Sequence, residues 1–210
     1  MNEDKSNFLY RLARLISLVF HPVFMPLYGL LILYNAPTLL SFVPLKIKHL
    51  SLLLVGINNI LLPLSLVLIL YSRGVIRSFY AREKHERTLL LIITMFLYLV
   101  TTLMMVRLPV PNLIKAYFIA TTFITFITII VNQFWKLSLH AVAAGGLMTV
   151  VCFLVYLFEV PVIWYLAGMI FLSGLIMFSR LYNDDHKPAE VWTGFFAGMV
   201  SMIASFLILL

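Results

Sequence analysis

Long apolar runs alternate with short polar gaps along this chain. Seven of the runs approach the length of a membrane span: residues 15–34, 51–71, 88–106, 112–131, 141–157, 160–178 and 191–210. A helix needs about 20 mostly apolar residues to cross a bilayer, whereas a barrel strand alternates in hydropathy over about 10. The pattern therefore predicts an all-α fold, a polytopic transmembrane helical bundle of six to seven spans. Glu159 and Pro161 mark a tight turn between the fifth and sixth runs. The first run is the one that leaves the count open. Its HPVFMP stretch, His21 to Pro26, carries two prolines that break or kink a helix by removing a backbone donor. It is either a kinked span or an interfacial or re-entrant helix.

Composition narrows the class further. With 63% hydrophobic and 11% charged residues and a mean hydropathy of +1.06, the chain does not describe a water-soluble core. It reads as a single integral membrane domain over residues 1–210, expected in the cell's inner membrane, with no soluble domain, low-complexity tract or long linker. The opening MNEDKSN is polar, and no small-residue cleavage site follows the first apolar run, which argues against a signal peptide. Cys152 is alone and mid-span, so neither a disulfide nor a cysteine metal site is expected. The absence of an internal repeat weakens a secondary-transporter reading.

Charge is distributed unevenly over the gaps. If all seven runs span, the N-terminus and the loops 72–87, 132–140 and 179–190 share one face. That face carries Lys5, Arg11, Arg14, Arg73, Arg77, Arg82, Lys84, Arg87, Lys136, Arg180 and Lys187. The other carries Lys46, Lys48, Arg107 and Lys115. Cytoplasmic loops collect Lys and Arg in any membrane protein, and that explains Lys5, Arg11, Arg14 and Arg73. It does not explain why the acids other than Glu159, and the histidines other than His49 if His21 is counted at the kinked helix, arrive at the same mouth. Ionisable groups at the ends of spans mark either a solvated rim or a site.

The loop SRLYNDDHKPAE, residues 179–190, has the spacing of a site. Ser179-Arg180, five residues, His186, three residues, Glu190 resembles SRxxxxxHxxxD, the signature of the type 2 phosphatidic acid phosphatase superfamily, which also contains the vanadium haloperoxidases. Glu190 stands where that signature has Asp. Val191 and Gly194 resemble the start of the family's last core helix. Pro188 suits the first turn of a helix, which puts His186 near the positive end of its dipole. Glu190, four residues on, is placed to accept from one imidazole nitrogen and fix the tautomer of the other. Arg180 offers a phosphate two parallel hydrogen bonds. Asp184 and Asp185 read as solvated or as partners of Arg180 or Lys187.

LSLHAVAAGG, residues 137–146, resembles the family's PSGH element through Ser138 and His140, with Leu137 in place of the proline and Leu139 in place of the glycine. The glycine normally lets backbone N–H groups approach phosphate, and Lys136 partly compensates for its loss. The family's KxxxxxxRP element is missing. Arg77 and Lys84 have its spacing, with His85 where the proline belongs, and Arg82 or Arg87 are substitutes. REKHER reads equally well as a solvated, ion-paired turn. The likeness covers residues 77–198 in order, the expected phosphatase-like core.

The resemblance implies a lipid phosphatase in which His186 attacks phosphorus, His140 protonates the leaving alcohol and Glu190 orients His186. Arg180, Ser138, Lys136, Lys84 and Arg77 would hold phosphate oxygens. The implied partners are a lipid phosphate substrate and membrane lipids, with no nucleic acid; no metal and no cofactor is required. Taken alone, His140 reads as a helix cap at the interface and His186 as a rim histidine. Two other classes compete: a catalytically silent protein of the same fold that binds lipid headgroups or membrane partners, and an intramembrane prenyltransferase, hinted at by the acidic Asn183-Asp184-Asp185. Gly145, Gly146, Gly194 and Gly198 read as close helix packing.

Overall fold

A computed structural model describes residues 8–77, 83–158 and 163–210. The expected turn at Glu159 and Pro161, the opening MNEDKSN with Lys5, and Arg82 lie outside the described residues. Among the described residues every regular element is helical: α1 (Phe8–Val19), α2 (Met25–Asn35), α3 (Leu45–Val55), α4 (Leu62–Ser72), α5 (Lys84–Arg107), α6 (Asn112–Val131), α7 (Leu139–Phe158), α8 (Ile163–Tyr182) and α9 (Pro188–Leu209). They make seven segments long and apolar enough to cross a membrane, with α1–α2 and α3–α4 each counting as one. This is the all-α helical bundle of an integral membrane protein.

Helix ends run beyond the hydropathy limits wherever polar residues continue the hydrogen-bond ladder. α5 begins at Lys84 rather than 88, α7 at Leu139 rather than 141 and α9 at Pro188 rather than 191, while α8 continues to Tyr182 rather than 178. Apolar runs report burial in lipid or core, whereas the helix stops only where its end groups are capped. His140 and Arg180, expected in loops, therefore sit in terminal helical turns, and Glu190 lies in the first turn of the helix that Pro188 starts.

The first segment is broken. Helix α1 ends at Val19, and Pro22–Phe24 form a 3₁₀ turn before α2. The second segment contains a π-helical turn, Gly56–Leu61, that the apolar pattern did not reveal. Its extra residue swings Asn59 fully inside, where Thr101 Oγ1 donates to Asn59 Oδ1 at 2.5 Å.

The chain divides into two compact units. One combines the described part of Met1–Met25 with Leu137–Val200, hence α1, α7, α8 and most of α9. Helix α7 is the most enclosed of the candidate spans. Small residues explain how its neighbour comes so close: a Cβ on Gly145 would overlap the Phe195 carbonyl, and one on Gly198 would overlap the Val142 carbonyl. The backbones of α7 and α9 are in contact, as the glycines suggested. Ala141, Met177 and Val191, with Leu181 and Phe195 against them, form an apolar plug between the ends of α7, α8 and α9.

The other unit comprises Pro26–Lys136 and Ser201–Leu210. Its α5 and α6 pair is joined by threonine hydroxyls: Thr102 Oγ1 lies 2.8 Å from the Phe118 carbonyl and 2.9 Å from Thr122 Oγ1. Lys48 Nζ donates to the carbonyls of Ser41 at 2.8 Å and Tyr34 at 3.3 Å, which closes the link between α2 and α3.

Candidate functional site

The break in the first segment starts the site. In an unbroken helix the Ser17 carbonyl would accept from the His21 N–H four residues on. Here that N–H bonds instead to the Leu18 carbonyl at 3.3 Å. The Ser17 carbonyl is taken by a different donor, His140 Nε2, at 3.0 Å. A carbonyl can only accept, so the His140 proton sits on Nε2 and the lone pair on Nδ1. The ring is buried. His21 stands edge-on to it, with ring centroids 5.3 Å apart and planes at 87°.

A second imidazole is fixed in the opposite sense. Asn183 to Lys187 form the turn between α8 and α9, and Asp184 takes a positive φ of 55° to close it. Glu190 lies in the first turn of α9, where its Oε2 reaches back to the Lys187 N–H at 3.4 Å, half of a capping box. The same oxygen accepts from His186 Nδ1 at 2.7 Å. A carboxylate holding Nδ1–H leaves the lone pair on Nε2. Both side chains are largely covered, 10% and 15% exposed, so this charge-assisted bond is little screened by solvent.

Arg180, in the last turn of α8, lies between the two histidine positions in sequence and chemistry. Its NH2 meets Asp185 Oδ2 at 3.0 Å, and the guanidinium is within electrostatic reach of both His21 and His140. His186 is in turn within reach of His140. Ser138 precedes α7: its N–H donates to the Glu190 carbonyl at 3.1 Å, tying the start of α7 to the start of α9. Its Oγ is fully buried and has no hydrogen-bond partner among the described residues. Leu139 is the first residue of α7, and among the described residues other than glycine only Asp184 has a positive φ. The glycine position of the PSGH element is thus occupied by ordinary helix.

His140, Ser138, Arg180, His186 and Glu190 belong to one unit. Arg77, Lys84 and Lys136 belong to the other. The Arg77 head is 84% exposed and sits 3.7 Å from Glu83, while its backbone N–H donates to buried Glu86 at 2.6 Å. Lys84 Nζ caps the end of α6 through the Gln133 carbonyl at 2.6 Å. These are the contacts of an ion-paired turn. Lys136 is exposed at the unit boundary.

Four residues around the site were not among the sequence candidates. Ser17 bonds Ser179 Oγ to Oγ at 3.0 Å, Asn183 Nδ2 reaches Ser17 Oγ at 3.5 Å, and His21 packs on His140. The signal for His21 was present in the His-Pro and Met-Pro pairs, which read only as a kink. Among the described residues no three of His, Cys, Asp and Glu are grouped to hold a metal ion. Comparison of the chain with family models, with curated proteins and with solved structures finds no match in any of the three.

Proposed function

We propose that the protein is an integral membrane lipid phosphatase of the cell's inner membrane that works through a phosphohistidine. The observation that carries this reading is the pair of imidazoles, each pinned at one nitrogen and each left with one lone pair, beside an arginine. His186 Nε2 attacks phosphorus and the phosphorus–oxygen ester bond breaks. His140 Nδ1, which holds a lone pair, takes the proton of the monoanionic phosphate ester and passes it to the leaving alkoxide, while Nε2–H stays on the Ser17 carbonyl. Water then attacks the phosphohistidine, its proton passes through His140 Nδ1 to the released phosphate, and both His186 and His140 are restored. Glu190 stabilises the positive charge that His186 acquires on attack. Arg180 holds phosphate oxygens, and the unpartnered Ser138 Oγ is available as a further donor. Arg77, Lys84 and Lys136 are given no role. The substrate is amphiphilic, a phosphate or diphosphate on an apolar tail, as the outward-facing apolar surface of the bundle favours.

A second reading is headgroup binding without turnover. It draws on the ion pair that occupies Arg180 and on the helical Leu139, which withholds the backbone cradle a glycine would open. The experiment that separates the two uses purified protein in detergent with phosphatidic acid, phosphatidylglycerol phosphate and a polyprenyl diphosphate. Phosphate release, with an acid-labile, base-stable phosphoenzyme that disappears in His186→Ala, is the expected result. Binding of these lipids with no release from any of them selects the silent reading.

A further inference from the structure

At this site the more exposed imidazole is His21, not His140. The His140 ring is buried, with its Nε2–H spent on Ser17, whereas His21 is exposed directly at its edge. The Val23 N–H points at His21 Nδ1 from 3.3 Å, so Nδ1 accepts and the proton is carried on Nε2. Among the described residues His21 Nε2 makes no hydrogen bond. It is a neutral donor held in a fixed direction, because the 3₁₀ turn Pro22–Phe24 that it caps is locked by proline.

We propose that His21 binds the substrate phosphate, donating Nε2–H to an oxygen not involved in bond breaking; this rests on the reading of the site given above. Three features converge on it. The Ser17–Ser179 bond at 3.0 Å sets the end of α1 beside the helical turn that carries Arg180, so an anion drawn to the guanidinium lies on the side of His21. A neutral N–H adds a hydrogen bond without placing a second cation beside Arg180, where like charges repel. The break at HPVFMP then has two consequences, since one local distortion frees the Ser17 carbonyl to orient His140 and also projects His21 to the surface. The first hydrophobic segment, which lies outside the phosphatase-like stretch of residues 77–198, becomes part of the binding site.

The competing role for His21 is the cap alone, and substitutions separate the two. His21→Ser keeps an oxygen to accept from Val23 N–H and removes the ring donor. His21→Asn keeps both an acceptor and an N–H. Orthovanadate is the probe, measured by its dissociation constant on detergent-solubilised full-length protein. A hydrogen bond to a charged group corresponds to a loss of about 10- to 100-fold in affinity. That loss is expected for His21→Ser, with His21→Asn between it and the wild type. Wild-type affinity in His21→Ser, with binding lost in His186→Ala, overturns the role of His21 and leaves the phosphatase reading intact. No vanadate binding by the wild type overturns both. Should His21→Ser not fold, the wild type labelled with ¹⁵N at histidine decides. Vanadate is expected to shift the His21 Nε2 resonance, assigned by its absence in His21→Asn, and an unmoved resonance overturns the proposal.

Discussion

His186 and His140 each have one nitrogen fixed and one lone pair, yet their neighbours assign them unequal work. His186 is backed by a carboxylate at 2.7 Å, which stabilises a positive ring; His140 is backed by a neutral carbonyl at 3.0 Å. His186→Ala should abolish turnover on every substrate. His140→Ala should lower it by about 10²–10⁴-fold, the usual contribution of a general acid. That loss should shrink on an aryl phosphate whose leaving group needs no proton, measured as the ratio of mutant to wild-type kcat on the two substrates. Equal losses on both would remove the proton-donor role. Glu190→Asp shortens the arm that holds both His186 and the Lys187 N–H, so the aspartate of the resembled signature is expected to slow the proposed turnover. A faster Glu190→Asp variant would mark the glutamate as a handicap. The turn that carries His186 depends on Asp184 at φ 55°, which aspartate tolerates and a β-branched residue does not. Asp184→Gly should leave stability unchanged or slightly higher, while Asp184→Val should cost about 1–2 kcal/mol, read from thermal unfolding in detergent.

At the scale of the elements, glycines set how close α7 and α9 come, and therefore how Ser138 reaches the Glu190 carbonyl. Gly194 contributes to the same approach, for a Cβ there would stand 2.9 Å from the Ser138 carbonyl. Gly198→Ala forces backbone apart from backbone, which no side-chain rotation can relieve, and is expected to lower thermal stability and turnover together. Gly168→Ala, in α8, meets nothing within 4 Å and should be neutral or stabilising by about 0.5–1 kcal/mol. A Gly198→Ala protein as stable as Gly168→Ala would contradict the contact. This packing was legible in AVAAGG and GxxxG because only small residues permit it. The helices were legible because apolar length is a sufficient signal in lipid. The site was legible where spacing within one helical turn decides it, as for His186 and Glu190. It was not legible where a distortion brings distant segments together. Nothing in the periodicity of residues 15–34 says that Ser17 will lose its helical partner or that His140 will take it. The π turn at Gly56–Leu61 escaped for a related reason, since one inserted residue barely alters an apolar pattern.

For the whole molecule, the question is which segments cross and from which side the site is reached. Counting crossings alone, the loop before α5, the loop before α7 and the turn before α9 share a face whether or not the first segment spans. The N-terminus does not share that freedom, because it joins them only if Phe8–Asn35 crosses. The bases set a direction. If Phe8–Asn35 crosses, then without Arg77, Lys84, Lys136 and Arg180, candidates for phosphate binding, seven bases remain on the face of these loops and Lys46, Lys48, Arg107 and Lys115 on the other. The positive-inside rule then places that face in the cytoplasm. Single cysteines in a Cys152→Ala background test each step with a membrane-impermeant reagent. Suitable positions are exposed: His85, Trp135 and Ala189 on the shared face, Arg107 opposite, and Phe8 for the first segment. Leu137, although adjacent to Ser138, is buried and unsuitable. His85→Cys, Trp135→Cys and Ala189→Cys should label together from the cytoplasmic side and Arg107→Cys from the other. Phe8→Cys should label with the first three, because α1 and α2 together have the length of one span despite the break. Labelling of Phe8→Cys with Arg107→Cys would show that the first segment returns to its own face. Labelling of Trp135→Cys and Ala189→Cys from opposite sides would separate Ser138 and His140 from the His186 turn, and no single phosphate site would survive it.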